Sequence, residues 1–326
     1  MTRRNALAVL VAIVATVVSG FIRTTVVSGF SRTNVASGFS RTTVVSGFSR
    51  TNVVSGFSQT QGAQTTIKLY VFDGGTLESD PARYRLTRED VGTTQLSVAA
   101  YLIVHPKGVL LWDTGAVPDE NWSPTGTPME QRLVLPDGQE RRVTIRTPLN
   151  AQLKASGYTP AQVTHLALSH YHWDHTANAN AFARATWLVR QNERDAMFAD
   201  KPLGTATPMT YAALKASKTV IVSVDEHDVF GDGTVILKSA AGHTPGHQVI
   251  YVKLARTGGV VLSGDLYHYP QERTMNRLPT FEFNEEQTRA ARKAVEDFLA
   301  RTKSRLWIQH DFNAHAKLKK APEFYD

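Results

Sequence analysis

Three histidines and one aspartate fall within six consecutive positions of this chain, as His170, His172, Asp174 and His175. Imidazole and carboxylate groups are the side chains that zinc and similar divalent metals accept as ligands. Each of these groups would need a partner if it were buried in a core, because an unpaired buried polar group is costly. The cluster therefore predicts a metal-binding loop rather than a set of core residues.

Three more side chains of the same kind lie farther along the chain, each just after a short apolar run: His243, Asp265 and His310. An apolar run at residues 163–168 also precedes the first cluster and predicts a buried strand that opens into the ligand loop. One loop cannot offer enough ligands for two metals, whereas several strand ends can. The sequence therefore predicts a metal site that is assembled from distant elements.

The apolar patterns elsewhere predict strands and helices that alternate in two blocks, which favours an α/β (α+β) class with two packed sheets and helices outside. Residues 67–72 predict a strand that ends in a turn at 73–75. Residues 117–148 are rich in Pro, Gly and charge, and predict an excursion over the surface near the site. The other main elements predicted are strands at 96–104, 109–112, 235–239, 248–254 and 260–262 and helices at 150–156 and 285–299.

The pattern His-x-His-x-Asp-His, followed by a histidine, an aspartate and a final histidine, resembles the signature of the metallo-β-lactamase superfamily. The resemblance implies an αβ/βα sandwich of two packed mixed sheets with helices outside and metals at one edge. It also implies two divalent metal ions, with zinc as the default and cobalt, manganese or iron as substitutes. By this resemblance, one metal would be held by His170, His172 and His243, the other by Asp174, His175 and His310, and Asp265 would bridge them.

Two metals held in this way imply a hydrolase, because their charge lowers the pKa of a shared water and yields a hydroxide nucleophile. Asp174 is expected to accept or relay a proton during the reaction. Asp113 is expected to cap a turn after its strand, to brace the metal loop, or to do both. His247 is expected to support the site from behind the ligands. The histidines expected to be structural are His105 in a hairpin turn, His165 in a strand and His227 in an acidic loop.

The first half of the folded part resembles the acyl-homoserine lactonases of this superfamily. The segments that carry this resemblance are 69–77, 80–81, 101–108 and 111–115, and the likeness covers most of residues 67–326. It implies an enzyme that opens the lactone ring of N-acyl-homoserine lactones by attack of the bridging hydroxide on the carbonyl. The substrate would be a small lactone or ester, and a homodimer is a family-level expectation.

The chain departs from the lactonase pattern at one position. Many of these lactonases carry a tyrosine three residues after the bridging aspartate, where this chain has His268 with Tyr267 and Tyr269 on either side. Either His268 donates a hydrogen bond to the lactone oxygen, or a neighbouring tyrosine such as Tyr267 reaches into the site. Histidine titrates near neutrality, so the pH dependence of the two arrangements would differ.

Other functions share the same ligands. The main alternative is a phosphotriesterase resembling methyl parathion hydrolase, since the same hydroxide can attack phosphorus. A β-lactamase is less favoured, as is a thioester hydrolase resembling the glyoxalase II enzymes, which lack the lactonase-like first half. A non-catalytic metal-binding surface protein, built around N-terminal repeats, is the alternative from a different class. Loss of all ester and lactone hydrolysis on metal removal would separate an enzyme from that protein.

The charge of the chain is unevenly distributed. The 326 residues have a net charge of +7, but residues 1–66 contain six arginines and no acidic residue. The remainder is balanced, with 30 basic and 29 acidic groups, which argues against a nucleic-acid partner. The absence of cysteine excludes thiolate ligands and cysteine nucleophiles.

The N-terminal part predicts a leader. Residues 1–18 combine a charged start with a short apolar run, which is typical of a secretory signal and too short for a stable membrane span. Export to the periplasm or medium is expected, or a cytoplasmic location if the leader does not act as a signal. In residues 19–66, Ser-Gly-Phe recurs every nine residues, which favours a disordered repeat leader before a hydrolase domain at 67–326.

Overall fold

The computed structural model describes residues 15–18, 21–24, 66–120, 129–134, 138, 140–201 and 205–326. Contacts divide the chain into two units, Met1–Gln64 and Thr65–Asp326. In the first unit, strand β1 (Ala15–Val18) pairs antiparallel with β2 (Phe21–Thr24). The predicted signal segment and repeat leader otherwise lie outside the described residues.

The second unit contains a larger sheet of nine strands. The strands are β3 (Lys68–Glu78), β4 (Gln95–His105), β5 (Gly108–Trp112), β6 (Met129–Val134), β7 (Glu140–Ile145), β8 (His165–Ala167), β9 (Thr186–Val189), β10 (Thr219–Ile221) and β16 (Phe324–Tyr325). Their order is β10-β9-β8-β5-β4-β3-β7-β6, and β16 pairs with β3. The strands β5, β8, β9 and β10 run parallel and the other pairs are antiparallel, so the sheet is mixed.

A smaller sheet of five strands has the order β11-β12-β13-β14-β15. Only the β14–β15 pair is parallel, so this sheet is also mixed. The strands are β11 (Glu226–Asp228), β12 (Val235–Ser239), β13 (Gln248–Leu254), β14 (Gly258–Leu262) and β15 (Arg305–Trp307).

Alternation of side chains along the strands builds two apolar layers. Leu69 and Val71 of β3 pack in a cluster with Val252 and Leu262 of the smaller sheet. Tyr70 belongs to a second cluster on the other face of the larger sheet. Because successive strand residues point to opposite faces, a single apolar strand supplies both layers. The two sheets thus pack face to face, and each outer face is available for helices.

Helices cover the outer faces and connect the strands. The longest, α6, begins at Glu285 after its N-cap Asn284, whose side chain accepts a hydrogen bond from the Gln287 backbone. Its buried Val295 and Phe298 pack against the smaller sheet, and each such burial contributes about 1.5–3 kcal/mol. The α-helices are α1 (Arg88–Val91), α2 (Leu149–Ala155), α3 (Trp173–Thr176), α4 (Gln191–Met197), α5 (Pro270–Thr274), α6 (Glu285–Thr302) and α7 (Phe312–Lys317). Within the described ranges, none of the helices has the length and apolarity to cross a membrane.

Most predicted elements are confirmed, including the β4–β5 hairpin and the helices at 149–155 and 285–302. The turn predicted at 73–75 is wrong, because β3 continues through it with a register shift between Asp73 and Gly75. Gly75 has φ +122, and a Cβ there would meet the Val143 side chain at 2.5 Å. The glycine therefore serves a bulge inside the strand rather than a turn.

Two further predictions are corrected. Residues 117–148 do not simply pass over the surface, because they contain β6 and β7, and β7 pairs with β3. The exposed, charged residues of this segment do not predict strands, because strands near the edge of an antiparallel sheet need few apolar residues. His227 lies in strand β11 and not in a loop.

The ends of several strands converge on one region. The ligand loop follows β8, Asp265 follows β14, His310 follows β15, and His243 lies in the connection from β12 to β13. The backbone N–H of Ser97 in β4 donates to the carbonyl of His310, which ties the two sheets together there. This edge of the sandwich positions the candidate site.

Candidate metal centre

The four polar side chains after β8 lie partly before and partly within the short helix α3. His172 is the N-cap residue of α3, so His170 and His172 precede the helix while Asp174 and His175 lie in it. His170 and His175 are completely buried, and Asp174 is 8 % exposed. Charged or polar groups buried to this extent require partners from elsewhere in the fold.

Distant strand ends supply those partners in two groups. The ligand-type atoms of His170, His172, His243 and Asp265 all lie within 4.8 Å of one another. The corresponding atoms of Asp174, His175 and His310 form a second group under the same limit. The structure therefore brings together all seven residues that the sequence indicated as ligands.

Asp265 faces both groups with different oxygens. Its Oδ2 lies 3.5 Å from His170 Nε2 and 3.4 Å from His243 Nε2. Its Oδ1 lies 3.0 Å from His175 Nε2 and 2.9 Å from His310 Nε2. One carboxylate is thus shared between two clusters of imidazole nitrogens.

Four of the buried ligand-type atoms lack a hydrogen-bond partner among the described residues: His170 Nε2, His175 Nε2, His310 Nε2 and Asp265 Oδ1. A buried polar atom without a partner costs about 1–3 kcal/mol. Divalent cations would satisfy all four atoms at once. The donor set of five imidazoles and two carboxylates also suits borderline divalent metals, so the residues present fit two such ions.

Burial and neighbouring charges shift the pKa values of the centre in different directions. Burial by itself lowers the pKa of His175, but the carboxylates of Asp265 and Asp113 outweigh it and hold that pKa well above its usual range. Burial raises the pKa of Asp265, but the charges of His175 and His310 outweigh it, so that this pKa lies well below its usual range. Burial and the neighbouring His175 hold the pKa of His170 well below normal. Because metal ligands must be deprotonated, a bound cation would replace the proton on His175.

Asp113 braces the ligand loop from behind. It has φ +56 and is fully buried at the end of β5. Its Oδ1 accepts a hydrogen bond from the Ser169 backbone at 2.6 Å, and its Oδ2 lies 2.9 Å from His175 Nδ1. Gln309 Nε2 donates to the same Oδ2 at 2.7 Å. Asp113 therefore orients the His175 ring so that Nε2 faces Asp265.

His247 lies beside the centre but its nitrogens are engaged elsewhere. Its Nδ1 donates to the carbonyl of Ala240 at 3.0 Å, and its Nε2 accepts from the Asp265 backbone N–H at 3.0 Å. Burial lowers the pKa of His247 to about 3, which keeps the ring neutral. His247 therefore positions the backbone of Asp265.

Glu193 is a residue of the site that the sequence did not indicate. Its side chain accepts hydrogen bonds from the Tyr171 backbone, the Thr244 hydroxyl and the Gly246 backbone, each at 2.8 Å. Tyr171 lies between His170 and His172, and Thr244 follows His243, so this carboxylate joins the two ligand loops. Glu193 lies in α4, a polar helix whose sequence carries no signal of a buried acid.

Glu282 was also missed by the sequence. Its fully buried side chain places Oε1 3.0 Å from His243 Nδ1, and the Thr288 hydroxyl donates to its other oxygen. A carboxylate at this nitrogen fixes the ring so that Nε2 faces Asp265. The separation of 39 residues between Glu282 and His243 matches no spacing that could have been recognised.

Replacing Glu282 with glutamine is expected to weaken metal binding about 10- to 100-fold at the group that contains His243, because its orienting charge is lost. Competition with a chromophoric chelator measures this affinity. The matched control is Glu285→Gln, since Glu285 forms an exposed pair with Arg85. Equal metal affinity in the Glu282 variant and the unmodified chain would contradict the orienting role.

His268 and Tyr267 have different surroundings. His268 lines a cavity above the metal centre, and its Nε2 lies 3.2 Å from Asp265 Oδ2. The Tyr267 hydroxyl donates to Glu296 at 3.2 Å, and Tyr267 is not among the described residues that line the cavity. Tyr267 has extended backbone angles, so its side chain points away from that of His268. The structure therefore does not bring the candidate Tyr267 to the site.

The cavity has a volume of about 810 Å³ and contains the metal centre at its floor. A volume of this size accommodates a small organic molecule. Its walls combine apolar and charged side chains. The apolar and aromatic residues lining it are Leu77, Tyr84, Leu96, Tyr171, Trp173, Phe281 and Phe283, and the charged residues away from the ligands are Glu78, Asp80, Arg83, Glu140, Arg141 and Arg142.

Comparison with known proteins identifies relatives over most of the second unit. A family model for the Metallo-beta-lactamase superfamily matches residues 93–304. The N-acyl homoserine lactonase AttM of Azorhizobium caulinodans is 27% identical over 277 residues, covering 80% of this chain and 100% of that protein. The N-acyl homoserine lactonase AiiA of Bacillus thuringiensis subsp. kurstaki is 26% identical over 264 residues, covering 80% and 99%.

Solved structures resemble the chain in fold. A mutant of B. thuringiensis AiiA, crystallised with N-decanoyl-L-homoserine at its active site, superimposes with a TM-score of 0.64 at 21% identity, covering 80% of this chain and 99% of that one. AidC, a dizinc quorum-quenching lactonase in complex with a product, gives a TM-score of 0.56 at 18% identity, covering 80% and 94%. The predicted fold of two mixed sheets with helices is confirmed.

Proposed function

The chain belongs to the metallo-beta-lactamase superfamily, and on that basis we propose that it is a metal-dependent hydrolase that opens the lactone ring of N-acyl-homoserine lactones. The observation that carries the proposal is the pair of ligand groups that share Asp265 at the floor of the cavity. The activity named for the AttM and AiiA relatives, which align over nearly their whole length, supports this substrate class.

The proposed cofactor is a pair of divalent metal ions, with zinc as the default for nitrogen and oxygen ligands. His170, His172 and His243 would hold one ion, Asp174, His175 and His310 the other, and Asp265 would contact both. When bound, such ions activate water near neutral pH and polarise a carbonyl group. The carboxylates behind the ligands, Asp113 and Glu282, keep the imidazoles in the orientation that this binding needs.

Asp174 is proposed to handle the proton of the reaction. Its carboxylate reaches the cavity with a side chain that is 12% exposed, and its Oδ2 lies 3.6 Å from His310 Nε2. From that position it can accept the proton of the attacking water and deliver it to the alkoxide that leaves when the ring opens. The same carboxylate therefore serves both halves of the reaction.

His268 is proposed to donate a hydrogen bond to the lactone. Burial lowers its pKa, but Asp265 and Glu272 outweigh this and raise the pKa to about 9 in the metal-free protein. The imidazole has an N–H donor in its neutral form as well as in its charged form. A donor that faces the developing negative charge on the substrate oxygen stabilises the transition state. His268 thus supplies the donor function that the family assigns to a tyrosine.

The cavity walls are proposed to bind the acyl chain. Trp173, Phe281 and Phe283 line the space above the metal centre, and Phe283 is 54% exposed where the cavity opens. An alkyl chain that covers these rings removes apolar surface from water, which contributes about 25 cal/mol per Å². A lactone head group at the metal centre would leave its acyl chain directed toward these side chains.

Chelation of the metals is expected to abolish lactone opening by the full-length protein, and added zinc is expected to restore it. Opening releases one proton per lactone, so proton release after addition of N-decanoyl-homoserine lactone measures it directly. The already opened N-decanoyl-homoserine is the control and should release none. Folded protein with two metals that leaves lactones intact, but hydrolyses a phosphotriester, would replace this proposal with the phosphotriesterase alternative.

A further inference from the structure

The His268 ring lies between two carboxylates. Its Nε2 is 3.2 Å from Asp265 Oδ2, and its Nδ1 is 3.3 Å from Glu272 Oε2. The side chains of His268 and Glu272 are 3% and 0% exposed. Glu272 thus contacts the ring from the side opposite to the metal centre, in a place that water does not reach.

Glu272 is itself held by several donors. Its Oε2 accepts hydrogen bonds from the backbone N–H groups of His268 at 2.5 Å and Tyr269 at 2.8 Å. Its Oε1 accepts from Arg292 Nη2 at 3.0 Å. Arg292 also donates to the carbonyls of Leu266 and Arg277, so the pair joins the segment after β14 to helix α6. The carboxylate therefore has a single position relative to the His268 ring.

Two histidines of the metal centre have a carboxylate at the same ring nitrogen, at shorter distances than the 3.3 Å at His268 Nδ1, which is an ion-pair contact and not a hydrogen bond. Asp113 lies at Nδ1 of His175, and Glu282 lies at Nδ1 of His243, at 2.9 and 3.0 Å. In each of these pairs Nε2 faces Asp265. A carboxylate at one ring nitrogen fixes the orientation of the ring and selects which nitrogen faces the reaction site.

We propose that Glu272 is a positioning residue that holds His268 with its Nε2 toward the cavity. The proposal rests on the proposed function and deepens it, because it explains how a histidine can stand where the family has a tyrosine. A tyrosine presents its hydroxyl at the end of a symmetric ring, whereas the two nitrogens of an imidazole differ in position, and only one of the two ring orientations places Nε2 in the cavity. The Glu272–Arg292 pair removes that ambiguity.

A test that does not depend on activity is a nitrogen-15 spectrum of the histidine rings in the full-length, zinc-loaded protein. The His268 signals are assigned from their disappearance in His268→Phe. Glu272→Gln is expected to shift both ring nitrogens of His268 and to leave the metal content at its original value. Unchanged His268 signals would overturn the proposal, and loss of one metal would make His268 a metal ligand instead.

The matched control is Glu296→Gln. Glu296 also joins α5 to α6, through Arg273, but its side chain is 37% exposed and it pairs with Tyr267 and not with His268. This variant is expected to leave the His268 signals unchanged. A shift of the same size in both variants would show that loosening of the two helices, and not the carboxylate at Nδ1, moves the ring.

A kinetic cycle then tests the link to catalysis. Glu272→Gln is expected to lower kcat for the lactone about 10- to 100-fold with little change in KM, and to cause no further loss in a His268→Phe background. Independent, multiplicative losses would overturn the proposal. If Glu272→Gln does not fold, Glu272→Asp is used in its place, because it retains the charge but moves it away from the ring by one methylene group. The double-mutant cycle of Glu272→Asp with His268→Phe then tests the proposal. If the unmodified protein opens no lactone, the proposed function fails while the ring spectrum still decides the position of His268.

Discussion

Replacing Asp265 with alanine is expected to lower lactone turnover at least about 1000-fold and to leave fewer than two metal ions per chain. Among the residues that the structure describes, Asp265 is the one carboxylate that faces both ligand groups, with Oδ1 toward His175 and His310 and Oδ2 toward His170 and His243. In the proposed two-metal centre, its loss would remove a ligand from each ion and the negative charge that offsets them. A paired metal centre contributes several kcal/mol to transition-state stabilisation, and about 1.4 kcal/mol corresponds to a factor of ten in rate.

Metal content by mass spectrometry and proton release on lactone addition measure this effect. Asp232→Ala is the matched control, because Asp232 also pairs with a buried histidine, His105 Nε2 at 2.9 Å, and is not among the described residues that line the cavity. The control is expected to keep both metals and full turnover. An Asp265→Ala protein that retains two metals and most of its activity would show that Asp265 is not the shared ligand.

Replacing His268 with phenylalanine is expected to lower lactone turnover about 100- to 1000-fold while both metals remain bound. The substitution keeps a ring of similar size beside Tyr84 and Phe281 but removes both of its polar nitrogens. Loss of one donor to a developing oxyanion has an effect of this size. A p-nitrophenyl ester, whose leaving group needs little assistance, is expected to lose much less activity.

Parallel assays of turnover and metal content check the role of His268. Tyr267→Phe is the control: it removes a hydroxyl that donates to Glu296 and is expected to leave turnover unchanged. If His268→Phe turns over lactone at the original rate, His268 has no part in the mechanism. If Tyr267→Phe is the variant that loses activity, the tyrosine alternative is correct.

The ligand set could be predicted because its signals are local. His170, His172, Asp174 and His175 lie in one loop, and His243, Asp265 and His310 each follow an apolar strand. The residue directly after a strand lies at the edge of the sheet where that strand ends. A polar residue in this position is therefore placed at a sheet edge in any arrangement of the remaining elements. The order of these residues and the apolar runs before them therefore determined the fold class and the metal site.

Strands were harder to predict where only one face of the strand is buried. β12 and β13 were predicted with their observed bounds, because each contains an unbroken apolar run, at 235–237 and 249–252. β7 was missed, since it alternates exposed charged residues with only two buried ones, Val143 and Ile145. The bulge at Gly75 was predicted as a turn, because a pair of glycines is compatible with a turn and with a bulge inside a strand. Only the pairing of β3 with β4 shows that the chain forms a bulge here.

The tertiary structure alone decided which acidic residues serve the site. Glu193, Glu272 and Glu282 lie in polar helical or connecting segments, where an acidic side chain is ordinarily exposed. Glu193 and Glu282 become buried because their segments pack against a ligand loop from another part of the chain, as Glu193 does against Thr244, 51 residues away. Glu272 contacts the nearby His268 and becomes buried against Arg292 of α6.

The choice between His268 and Tyr267 also depended on tertiary structure. Adjacent residues in an extended segment point in opposite directions, but the sequence left both residues as candidates, and the extended backbone at Tyr267 is seen only in the structure. The docking of this segment on α6, through Arg292 and Glu272, directs Tyr267 toward the helix and His268 toward Asp265. The amino-acid sequence thus determined which residue types are available for the chemistry, whereas long-range packing decided which of them meet, because burial and orientation are properties of the whole fold.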